Sequence, residues 1–102
     1  MTITSDYLSH IYLREKDIIS RNIAGETILV PIRGNLADMQ HIFTLNPVGL
    51  FIWEQLEGEK KLSDILESIL ENFDTSHEQA TADLLEFISQ VVKTGLATEK
   101  KL

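Results

Sequence analysis

Cysteine is absent from the 102 residues. That excludes disulfides, thiolate metal sites and cysteine nucleophiles together, and allows a reducing compartment. Histidine is scarce, and His10, His41 and His77 lie far apart. No second histidine or suitably spaced carboxylate argues for a metal, so neither a metal nor a cofactor is expected. Positive charge is also short: nine Lys and Arg stand against sixteen Asp and Glu, a formal net charge of -7. Such a chain repels a polyphosphate and offers no broad basic patch to release counterions, so nucleic acid is not an expected partner. No apolar run approaches the roughly 18 residues of a membrane span. Met1-Thr2-Ile3-Thr4-Ser5-Asp6 lacks the basic start and continuous apolar stretch of a signal peptide. A cytoplasmic protein without membrane contact is the expectation. Nothing pairs a nucleophile with a base and no glycine-rich loop precedes a helix, so catalysis is not expected.

What is present suits one compact domain, with 43% apolar residues in a chain too short for two cores. From Asp17 to Ile32 the β-branched residues are split by Ala24-Gly25-Glu26, the pattern of a hairpin. Pro31 cannot donate to a ladder and belongs at the end of a strand or on an unpaired edge. After the turn residues Arg33 to Asp38, His41-Ile42-Phe43-Thr44-Leu45 reads as a third strand. Asn46-Pro47 is a helix start, because the Asn side chain can cap free N–H groups and Pro fits the first helical position. Val48, Phe51, Ile52 and Leu56 carry that first helix to Gly58, taken as its left-handed terminator. Leu62, Ile65, Leu66, Ile69, Leu70 and Phe73 form the stripe of a second helix. Ser76-His77-Glu78-Gln79 fits a capping box, and Ala80, Leu84, Phe87, Ile88 and Val91 line the inner face of a third helix closed by Gly95.

The predicted fold is therefore α+β: a three-stranded antiparallel sheet followed by a three-helix bundle, winged-helix-like in reordered form. Three short strands leave two edges, and the third has no sequence-adjacent partner to cover its outer side. The domain is placed at residues 17–98. Residues 1–16 are read as a flexible or edge-pairing segment, with β-capable Tyr7 to Leu13 as a candidate occupant of the open edge, and residues 99–102 as a tail.

In order along the chain, Arg21 to Ile32 (RNIAGETILVPI), Ile42 to Gly58 (IFTLNPVGLFIWEQLEG), Leu62 to Phe73 and Ala82 to Leu96 (ADLLEFISQVVKTGL) resemble the PqqD-like family. The most specific parts are Leu45-Asn46 entering an aromatic-rich helix, and Asp83-Leu84 with Phe87-Ile88 before Lys93-Thr94-Gly95-Leu96. Lys61 departs from the pattern, which has a Thr or Ser cap there. The resemblance implies a recognition element of ribosomally made, modified peptides, the class that includes the route to pyrroloquinoline quinone. It implies that a precursor's leader peptide adds as a strand along the third strand and packs on the third helix. The module then presents it to a modifying enzyme, often a radical SAM protein. Carried onto this sequence, the peptide-binding residues are His41, Ile42, Phe43 and Thr44 on the edge, with Asp83, Phe87, Gln90 and Val91 on the helix.

Plainer readings stand beside these. A half-buried strand has period two, so Phe43 or Leu45 taken singly is more often core than ligand contact. Phe87 and Val91 share a stripe that in most helices is packing. Arg21 and Asp83 are read as a pair fixing the hairpin to the third helix, and Trp53 as a core aromatic before a docking residue. The alternative class is a winged-helix protein-interaction or DNA-binding regulator, whose recognition helix would have to be the acidic third one. Oligomeric state is left open.

Overall fold

A computed structural model describes residues 8–31 and 43–100, and the expected hairpin is its simplest element. β1 spans Ile11–Arg14, β2 Ile18–Ile23 and β3 Glu26–Pro31. Ile23 and Glu26 close the β2–β3 ladder, and the turn between them is Ala24 at φ 55° and Gly25 at φ 85°. Two consecutive left-handed residues make a turn whose twist matches that of the strands it joins. β4, Phe43–Leu45, pairs antiparallel with β3, giving a sheet of order β2-β3-β4. Directly opposed residues of a ladder share a face. Ile18, Leu29, Phe43 and Leu45 therefore point inward, and Leu29 and Leu45 are buried at 2% and 6% exposure.

Helix α1, Pro47–Glu54, follows β4 through Asn46, whose Oδ1 accepts from the Gly49 N–H at 2.7 Å. α2 is Leu62–Asn72 and α3 is His77–Lys93, capped by the Ser76 hydroxyl, which accepts from the Gln79 N–H. The apolar stripes expected of α2 and α3 form the core: Leu62, Ile65, Leu84, Ile88 and Val91 are fully buried. Trp53 is buried as well, with the Arg14 guanidinium 6.0 Å from its ring centre.

A second sheet departs from the expectation of a single one. β5, Glu57–Lys61, and β6, Ala97–Lys100, flank β1 in the order β5-β1-β6. Residues 11–14 are thus a central strand and do not lie along the edge of β4. Glu99 and Lys100, expected in a tail, belong to β6 and pair with Tyr12 and Ile11. β1 is held here because its inward Tyr12 is buried at 5% exposure while both flanks find ladder partners. Residues 1–7 lie outside the described residues.

α1 ends at Glu54 rather than at Gly58. Gly58 sits in β5 at φ 81°, where the β1–β5 register shifts, and a Cβ there would lie 3.2 Å from Leu13 Cδ1. A left-handed glycine at a register shift bends the strand so that α2 can begin at once. Lys61 does precede α2, and its cap is reversed: its own N–H donates to Asp64 Oδ2 at 3.4 Å. The departure at Lys61 therefore costs the helix a side-chain acceptor, while the Asp64 carboxylate still serves its N-terminus.

Candidate functional site

The alternation of bonded and non-bonded pairs along the first sheet determines what β4 offers to solvent. A two-residue turn makes Ile23 and Glu26 the hydrogen-bonded pair that closes the hairpin. Along an antiparallel ladder such pairs alternate with non-bonded ones. Arg21↔Ile28 and Ile19↔Val30 are then bonded, and Ile18↔Pro31 is not, as a residue without an N–H requires. β3 is left to direct the main chain of Thr27 and Leu29 toward β4, where their partners are Leu45 and Phe43. Thr44, opposite Ile28, consequently turns its N–H and C=O to the far side of β4. Among the described residues no strand pairs with that side.

Beside this edge lies a groove of about 230 Å³ between β4, the start of α1 and the middle of α3. Its apolar surface comes from Phe43, Leu45, Val48, Ile52 and Phe87, and its polar surface from Thr44, Asn46, Asp83, Glu86 and Gln90. Phe43 and Phe87 meet edge to face at 6.1 Å, joining the strand to the helix. Gly49 belongs to the lining too, because a Cβ there would stand 3.4 Å from Phe87 Cε1 and 3.2 Å from Asn46 Oδ1. Its missing side chain allows α1 and α3 to approach while the capping bond of Asn46 stays intact.

Of the residues singled out in the sequence, the structure brings Phe43, Thr44, Asp83, Phe87 and Gln90 to this groove. Val91 is not among them. It is fully buried, because it continues the inner stripe of Ala80, Leu84 and Ile88 toward the core. His41 and Ile42 lie outside the described residues. Arg21 is exposed and Asp83 is half-buried, and the Asp83 carboxylate accepts from Gln79 Nε2 at 2.8 Å instead of pairing with Arg21. In the sequence Leu45, Val48 and Ile52 carry only strand and helix signals, and Gly49 carries none of its own. Their part in the groove was foreshadowed by Asn46-Pro47, which starts α1 directly at the end of β4 and so packs its first turns beside the edge.

The arrangement suits an extended chain. A strand laid against Thr44 would face its main chain to the outward N–H and C=O, and alternate side chains would enter the groove. Among the described residues, no group of three or more His, Asp or Glu side chains is placed to hold a metal. No helix among them is long and apolar enough to cross a membrane.

The family model for coenzyme PQQ synthesis protein D (PqqD) matches residues 26–97, which include both walls of the groove. Two solved structures are similar. TbiB1 in complex with the TbiA(beta) leader peptide has a TM-score of 0.64 and 22% identity, over 83% of this chain and 93% of that one. Lasso peptide synthetase B1 complexed with the leader peptide has a TM-score of 0.66 and 14% identity, over 85% and 96%. At these identities the likeness is one of fold. No curated protein matches this chain.

Proposed function

This chain belongs to the family of coenzyme PQQ synthesis protein D (PqqD), and we propose that it binds the leader segment of a ribosomally made precursor peptide and presents it to a modifying enzyme. The observation that carries the reading is the outer side of β4, with which no strand pairs among the described residues, lying beside a groove that combines Phe43, Val48 and Phe87 with polar side chains. Both similar structures are complexes with leader peptides, which supports the same use of the fold here. The protein's role is binding without chemistry. Its peptide partner and the enzyme, which the resemblance makes a protein such as a radical SAM enzyme, meet it in the cytoplasm.

Energetics divides the work between edge and groove. Thr44 supplies one donor and one acceptor, worth about 0.5 to 1.5 kcal/mol net each. Ordering a flexible segment costs about 2 to 5 kcal/mol, so the roughly 1 to 3 kcal/mol of main-chain pairing at Thr44 offsets little more than the lower end of that cost. Micromolar binding requires about -8 kcal/mol. Several apolar leader side chains, at about 1.5 to 3 kcal/mol each when fully buried, must therefore enter beside Phe43, Val48 and Phe87. The edge sets the direction and register of the peptide, and the groove sets which peptide is held.

Titration of fluorescently labelled leader peptides from precursor genes adjacent to this one tests the reading. Saturable binding is expected for at least one, with backbone amide NMR shifts concentrated at Thr44, Gly49 and Phe87. Binding by none of them would replace it with a scaffold that recognises a folded partner.

A further inference from the structure

Resting on the groove as the leader site, we infer that it selects a peptide carrying a lysine or arginine two positions from a bulky apolar residue. Among the described lining residues the charged ones are Asp83 and Glu86, and both are acidic. Neither joins an ion pair among the described residues. Gln79 holds the Asp83 carboxylate at 2.8 Å, which orients it without cancelling its charge. Asp83 is half-buried, so part of its hydration is already lost in the free protein. Glu86 follows three residues later on the same face of α3, a like-charge neighbour whose repulsion a bound cation relieves.

The spacing follows from geometry. Asp83 and Phe87 are one turn apart on α3, about 6 Å along the helix axis. Alternate side chains of an extended peptide enter the groove about 6.8 Å apart. A peptide running along α3 that seats an apolar residue against Phe87 and Phe43 therefore brings its next inward side chain to Asp83, with Glu86 lying between the two positions. A carboxylate at that position meets two like charges, and a neutral chain leaves Asp83 partly desolvated without a cation. A guanidinium or ammonium there makes charge-assisted hydrogen bonds.

The test is a randomised ten-residue display library panned in parallel against the wild-type chain, the Asp83→Asn/Glu86→Gln double variant and Thr44→Pro. Wild-type selection is expected to enrich Lys or Arg two positions from Leu, Ile, Phe or Tyr, and the double variant to keep the apolar preference while losing the basic one. In titrations of the leading peptide, replacing its basic residue by Gln weakens wild-type binding by roughly threefold to tenfold and changes the double variant less than about twofold. Identical enrichment by wild type and double variant would overturn the inference and leave the groove standing. Peptides held equally by wild type and Thr44→Pro, or no enrichment at all, would overturn the groove reading and the inference with it.

Discussion

Replacing Thr44 by proline removes the N–H that β4 turns away from its sheet and leaves its bonds to β3 intact, since those are made by Phe43 and Leu45. An edge position whose N–H faces outward is where a strand tolerates proline, so the domain should keep its fold and lose no more than about 1 kcal/mol of stability. Binding suffers more. The peptide carbonyl that would have accepted from Thr44 is left buried without a donor, at a cost of about 1 to 3 kcal/mol, or roughly fivefold to 150-fold in Kd. Thr44→Ala keeps the N–H and separates the loss of the side chain from the loss of the donor. Phe43→Pro is the opposite control, because it breaks a bond to Leu29 and the contact with Phe87, and should unfold the sheet. Kd from fluorescence anisotropy and fold from circular dichroism decide it. A folded Thr44→Pro chain with unchanged Kd would refute strand addition at this edge.

Val91→Ala should destabilise the chain by about 2 kcal/mol in urea titration and leave the Kd of the folded protein unchanged, because Val91 is wholly interior. Ala24→Asn should raise the urea midpoint by an amount worth up to about 1 kcal/mol, since Ala24 holds φ 55° in a turn that Asn adopts more readily. Gly58→Ala is expected to cost about 1 to 2 kcal/mol in the same assay, from a left-handed φ of 81° and a 3.2 Å approach to Leu13. Its damage falls on the β1–β5 ladder, and hydrogen exchange should quicken there before it does in the β2–β3 hairpin.

The amino-acid sequence by itself determined the parts of this fold that are encoded locally. The stripes of α2 and α3 have a helical period that only one face can bury, Asn46-Pro47 and Ser76 supply caps, and Ala24-Gly25 supplies the one turn that joins β2 to β3 in register. The ordered resemblance over residues 17–98 added the edge of the third strand and the facing wall of α3, and five of the eight residues chosen on that basis meet in one groove. The second sheet was not legible, because β5 is Glu-Gly-Glu-Lys-Lys, without a β-branched or aromatic residue, and its strand character comes only from pairing with β1. Gly58 shows the same limit: a glycine after an apolar helix has the local signature of a terminator, and its use in β5 depends on Leu13, 45 positions earlier. Likewise Val91 and Phe87 are one turn apart on a single stripe, and only the packing of α1 across α3 leaves one at the groove and the other inside. Periodicity and capping act within a few residues and can be read from them. Which strand finds which edge, and which buried face is left partly open, are set by contacts between residues far apart in the chain, and the tertiary structure alone decided them.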